Sequence, residues 1–158
     1  SLRRQRQMCI RDSIEALEER WRRENIAIRV EDGAGEVRMV ADREKLVRVL
    51  VNLVTNGVES VRRSGKEDGQ VVVRSLAKGF DVLFEVSDNG EGMNPEQVKA
   101  WLEDLREFGP SEAMGLGLGL NIVKTFVRLH GGEIRVRTEE GMGTTFQIRI
   151  PRIVGEGG

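Results

Sequence analysis

Residues 70–93 read QVVVRSLAKGFDVLFEVSDNGEGM, and most of the stretch carries the alternation of half-buried β-structure. Gln70 to Leu76 and Phe80 to Val86 predict two strands, the second with Phe80, Val82, Phe84 and Val86 on one face. Ala77-Lys-Gly79 between them is short enough to close a hairpin. The second strand runs into a loop at Ser87 to Asn94, where Gly90 and Gly92 permit positive φ and a close approach to a ligand. An ionised Asp88 only accepts hydrogen bonds, which suits the exocyclic amine of adenine. Taken alone, Asp-Asn-Gly is equally an ordinary turn.

Working upstream, Asp42 is placed to cap a helix over about Arg43 to Arg63. At about 100° per residue, Asn52, Asn56 and Glu59 fall within roughly 60° of one another, with Leu46, Leu50, Val54 and Val61 on the far side. One face packs and the other presents amides and a carboxylate. Further back, Ile26 to Val30 and Glu36 to Val40 predict strands around the turn Glu31 to Gly35. Ile10, Ile14, Leu17 and Trp21 make the apolar stripe of a helix ending near Glu24. Residues 1–9, with a basic start, are expected to be the end of an upstream linker or dimerisation helix.

Downstream, Pro95 predicts a helix start, and a weakly patterned stretch at Phe108 to Met114 leads to Gly115-Leu-Gly-Leu-Gly-Leu120. A helix over about Leu118 to His130 ends at Gly131-Gly132. Glu133 to Thr138 and Thr144 to Pro151 are the closing strands, and residues 153–158 a tail. Helices and hairpins mixed in this order predict an α/β two-layer sandwich, a mixed β-sheet with helices on one face, as one domain over residues 10–152.

Composition narrows the function. Lys plus Arg (25) nearly cancel Asp plus Glu (26), so a net charge of −1 gives no basis for a general nucleic-acid binder. The one cysteine, Cys9, has no partner for an internal disulfide and no neighbour at metal-ligand spacing. No apolar run reaches the roughly 18 residues of a membrane span. The expected setting is cytoplasmic, with a longer parent protein free to be anchored to an inner membrane.

Exposed amides at a helix N-terminus make an anion site, so the glycine run opening the last helix suits a di- or triphosphate. A hinge is the plainer alternative. Leu120 stands where GxGxxG needs its last glycine, and GxxxxGK[ST] is absent, so dinucleotide-fold and P-loop readings fail. His130, the only histidine, precedes two glycines able to supply a left-handed helix cap, which favours a structural over a catalytic role.

In order, Asn52-Leu-Val-Thr-Asn56, Asp88-Asn-Gly-Glu-Gly92, Gly115-Leu-Gly-Leu-Gly119-Leu-Asn-Ile-Val, His130-Gly-Gly and Gly141-Met-Gly-Thr-Thr-Phe146 resemble the N, G1, G2 and closing boxes of histidine kinase catalytic domains. These belong to the ATP-binding superfamily that includes gyrase and MutL, and the resemblance spans roughly Ile10 to Pro151. It implies the Bergerat fold, with ATP and Mg²⁺ as cofactors. It implies that Asn56 gives its side-chain oxygen to Mg²⁺, that Asn52 sits beside the phosphates, and that both are catalytic. Asp88 would bind the adenine amine, with Gly90, Gly92 and Met93 lining the base pocket. Gly115, Leu116, Gly117, Leu118, Gly119 and Leu120 would shape the phosphate side, and Glu59 and Thr144 complete the nucleotide-binding set.

The superfamily's hydrolases carry a glutamate one turn before the metal-binding asparagine. Here Asn52 stands there and cannot take a proton, which favours transfer to a histidine over hydrolysis. By the resemblance, that histidine lies on a dimerisation domain of the same homodimeric parent, and a response regulator acts downstream. Between the G1 and G2 boxes, residues 101–114 lack the family's Thr-Thr-Lys, and only Phe108 stands in for its phenylalanines. Two alternatives remain: a serine-phosphorylating anti-sigma kinase, whose pattern Asn52 breaks, and a nucleotide-binding interaction module without transfer.

Overall fold

The computed structural model describes residues 6–23, 27–104 and 118–152. Along the chain these form β1 (Arg6–Cys9), α1 (Ile10–Arg23), β2 (Arg29–Asp32), β3 (Arg38–Ala41), α2 (Arg43–Ser64), β4 (Val71–Lys78), β5 (Asp81–Asp88), α3 (Pro95–Glu103), α4 (Leu118–Leu129), β6 (Glu133–Glu139) and β7 (Gly143–Pro151). Five strands make one sheet in the order β2-β4-β5-β7-β6. Strand β2 runs parallel to β4, and the other neighbours are antiparallel. This is the mixed sheet the sequence predicts.

Alternation decides which face is covered. Val73, Val82, Phe84, Val86, Phe146, Ile148 and Ile150 are buried under the helices. The opposite face mixes apolar residues such as Leu76 and Leu83 with charged ones that tie the strands together, as Arg149 does with Asp81 at 3.4 Å and with Glu133 at 3.5 Å. The helices therefore lie on one face. Helix α1 buries Ile10, Ile14, Leu17 and Trp21, and α2 buries Leu46, Leu50 and Val54, as their spacing predicts.

Helix α2, which carries the asparagines, starts where the sequence places it. Asp42 takes an extended conformation and its Oδ1 accepts from the Lys45 amide at 3.3 Å. Losing such a cap costs about 1 kcal/mol, so Asp42→Ala should lower the unfolding free energy by about that much in denaturant titration.

Two local expectations differ from the structure, and one strand pairing lies beyond what the local pattern addresses. Residues Arg6–Cys9 are a strand rather than the end of a helix: they pair antiparallel with β3, setting Met8 opposite Met39. The backbone amides of Ile10 and Arg11 then go to the carbonyls of Val37 and Gly35, both at 3.0 Å, which fixes where strand gives way to helix. Strands β2 and β3 flank a turn but are not partners. The turn is held instead to β4, where Gly33 donates its amide to the Ser75 carbonyl at 2.9 Å. Finally, Phe80 is not a core residue. The β4–β5 ladder closes at Lys78 opposite Asp81, so Phe80 sits at the hairpin tip, 82% exposed.

Candidate functional site

Asn52, Asn56 and Ser60 recur every four residues on α2, a stripe about 12 Å long at 1.5 Å per residue. Asn52 and Asn56 each hold a buried Nδ2 with no hydrogen-bond partner among the described residues. An unsatisfied buried polar group costs roughly 1–3 kcal/mol, so two in succession mark a surface that a ligand would complete. Gly119, in the first turn of α4, rests on this stripe: a Cβ there would lie 3.3 Å from Asn52 Cγ. Glu59, on the same face of the helix, is half exposed and paired with Arg63 at 3.5 Å.

Asp88 closes the other end of the stripe. It is the last residue of β5, not the second of a loop, and is 9% exposed. Its Oδ1 accepts from the Gly90 amide at 2.8 Å and from the Ser60 hydroxyl at 3.2 Å. Burial raises the pKa of this carboxyl, while hydrogen bonds from the Gly90 amide, the Ser60 hydroxyl and the Thr144 amide, and the Lys66 charge, pull it down. The opposing donors favour the ionised form that an acceptor role requires.

The glycines of the loop serve the protein itself. A Cβ on Gly90 would lie 2.3 Å from Ser60 Oγ, so the loop lies directly on α2. Gly92 has φ +74° and faces the Glu139 carbonyl, a conformation and a clearance that other residues lack. Met93, part-buried, donates its amide to Thr138 Oγ1 at 2.9 Å, and Thr138 Oγ1 lies 2.8 Å from the buried Thr144 Oγ1. The Asp88 end of the stripe is thus framed by α2, β5, β7 and the turn between β6 and β7.

At the Asn52 end, Leu118 opens α4 and Leu120 is a core residue, 2% exposed. Gly115, Leu116 and Gly117 lie outside the described residues, as do Phe108 and most of the segment before them. His130 is buried, its Nδ1 2.8 Å from the Phe126 carbonyl and its ring stacked on Phe126. Gly131 has φ +65° and Gly132 donates its amide to Val127 at 2.9 Å, the left-handed cap expected there.

Sequence reasoning missed three groups. Ser60 carries the same four-residue spacing as the asparagines, and that spacing was its signal. Lys66, just past α2, donates to the carbonyls of Asn89 at 2.8 Å and Gly141 at 2.7 Å, joining the loop to the β6–β7 turn. Trp101 of α3 donates its indole N–H to Asn121 of α4 at 3.1 Å, and the buried Lys124 reaches the Trp101 carbonyl, bracing α4 beside Asn52.

Comparison with known proteins follows this geometry. The family model described as histidine kinase-, DNA gyrase B-, and HSP90-like ATPase matches residues 41–153. The chain is 38% identical over 121 residues to the histidine protein kinase DivJ of Caulobacter vibrioides, covering 74% of this chain and 19% of that protein. It is 35% identical over 117 residues to the sensor histidine kinase ZraS of Salmonella typhi, covering 73% of this chain and 24% of that protein. It spans about a fifth to a quarter of these relatives' length. The catalytic domain of histidine kinase ThkA superposes with a TM-score of 0.70 at 27% identity, over 94% of this chain and 95% of that one. The mycobacterial sensor histidine kinase MprB gives 0.72 at 26% identity, over 93% and 97%. Among the described residues, no helix is long and apolar enough to cross a membrane.

Proposed function

Because the chain belongs to the family of histidine kinase-, DNA gyrase B- and HSP90-like ATPases, we propose that it binds Mg-ATP and transfers the γ-phosphate to a histidine on a dimerisation domain of the same longer protein. The observation that carries this is the α2 stripe. Two side-chain amides without partners stand one turn apart, and the buried Asp88 carboxylate closes the same face at Ser60. A nucleotide laid along it would put its base at Asp88 and its phosphates at Asn52, Asn56 and the start of α4.

Mg²⁺ fits this donor set. It takes few protein oxygens and completes its octahedron with phosphate and water. No group of three or more His, Cys, Asp or Glu side chains suited to a metal occurs among the described residues, and the Asn56 amide can present its oxygen by a half-turn of its terminal torsion. The ion would neutralise phosphate charge. The residues' own part is to hold the nucleotide in register, which is most of what phosphoryl transfer asks of a protein.

The longer protein would act as a homodimer in the cytoplasm or from an inner-membrane anchor, passing phosphate to a response regulator, with this domain monomeric and no nucleic acid involved. The curated relatives named above are histidine kinases, which supports a histidine rather than a serine acceptor. Calorimetry of ATP binding with and without Mg²⁺ tests the site. Asn56→Ala should abolish the Mg²⁺ dependence of affinity and leave the far-UV spectrum unchanged, since the core side of α2 is untouched. A metal dependence equal to that of the unsubstituted chain would move the ion elsewhere.

A further inference from the structure

We infer that Ser60 is a positioning residue for nucleotide recognition: its hydroxyl fixes the Asp88 carboxylate and the loop after β5 so that one carboxylate oxygen is reserved for the ligand. This rests on the nucleotide reading above and adds a residue to it.

Ser60 is 7% exposed and stands one turn beyond Asn56. Its hydroxyl makes two contacts of opposite sense. It donates to Asp88 Oδ1 at 3.2 Å and accepts from the Glu91 amide at 3.1 Å. The Gly90 amide also donates to Oδ1, at 2.8 Å. A carboxylate oxygen has two lone pairs, so Ser60 and Gly90 fill Oδ1; the carboxyl also accepts from the Thr144 amide, and the acceptor capacity left for a ligand is at Oδ2. Without the hydroxyl, only the Gly90 and Thr144 amides hold the carboxylate, and Oδ1 regains an open lone pair that competes with Oδ2 for the ligand. The contact of Gly90 with Ser60 makes the arrangement tight, since the two residues leave no room for a larger side chain at position 90.

A second consequence concerns charge. Burial pushes the Asp88 carboxyl towards its neutral form, and the Ser60 hydroxyl is among the donors opposing this. The charged groups around it are Lys66, which acts on the carboxylate, and farther out Arg63, which pairs with Glu59 at 3.5 Å and Glu91 at 3.3 Å. The flanking strands set only Val71 and Thr144 opposite it. Removing the hydroxyl therefore raises the pH at which Asp88 takes up a proton and stops accepting from a ligand amine.

The test is ATP affinity of this chain by calorimetry across pH 4.5 to 8 for Ser60→Ala and for the size-matched Ser60→Cys, whose thiol is a weak donor. Both should bind ATP roughly three- to tenfold more weakly at neutral pH, the range for one hydrogen bond. Both should also lose affinity at a higher pH than the unsubstituted chain. In an Asp88→Asn background, Ser60→Ala should cost nothing further. If Asp88→Asn weakens ATP binding while Ser60→Ala leaves both affinity and midpoint unchanged, the role given to Ser60 is wrong and the nucleotide site stands. If Asp88→Asn itself has no effect, the inference and the nucleotide reading fail together.

Discussion

Asp88→Ala should weaken ATP binding by about 1.5–3 kcal/mol, roughly ten- to a hundredfold, the range for a hydrogen bond to a charged group. GTP should bind poorly to the unsubstituted chain, because guanine presents a carbonyl where adenine presents an amine, and a carboxylate facing a carbonyl repels it. Equal calorimetric affinities for ATP and GTP would remove Asp88 from the base pocket. The pH dependence has a definite sign. Burial lifts the Asp88 pKa above the usual carboxylate range, so ATP affinity, which needs the ionised form, should fall with acidity sooner than for an exposed aspartate. Stability without nucleotide runs the other way. A carboxyl whose folded pKa is raised contributes stability that is present below its unfolded pKa and lost as pH rises through the folded value. At neutral pH, Asp88→Asn should therefore leave the nucleotide-free melting temperature equal or higher while removing most of the gain on adding ATP. A lower melting temperature would mean that the carboxylate is structural.

What the sequence disclosed and what it hid separate by range. The α2 cap at Asp42, the β4–β5 hairpin, the start of α3 at Pro95 and the cap at Gly131 depend on neighbours a few residues away, and each lies where local patterning puts it. The partner of β2 does not. Whether Arg29–Asp32 pairs with the next strand or with Val71–Lys78 beyond a whole helix is decided by contacts such as Gly33 to Ser75, which no local pattern contains. The same holds at the site. Asn52, Asn56 and Asp88 stand out because amides and carboxylates are conspicuous where they gather. Ser60 is inconspicuous on a helix, and only the arrival of Gly90 and Asp88 against it gives its hydroxyl something to do. Lys66 reads as a loop cation until Asn89 and Gly141, the latter 75 positions away, bring their carbonyls to it.

Given Mg-ATP alone, this chain should bind nucleotide, form no acid-labile phosphoryl product and hydrolyse ATP hardly above background. The reason lies in two positions. Its one histidine, His130, is 7% exposed, hydrogen-bonded through Nδ1 to Phe126 and stacked on that ring, so it is withheld from a phosphoryl donor. Position 52, where a water-activating carboxylate would sit, holds an amide that cannot take a proton near neutral pH. Adding a separate dimerisation fragment of the parent protein should restore histidine phosphorylation weakly, because a tether supplies an effective concentration of about millimolar that dilute mixing does not reach. Filter binding with γ-labelled ATP, followed by acid treatment, reads both parts. Steady turnover by the chain alone, lost in Asn56→Ala, would instead make it an ATPase, and a base would have to be found. Glu59 shares the helix face of Asn52 and Asn56, but it lies half exposed beside Arg63, so such turnover would require it to leave that pair.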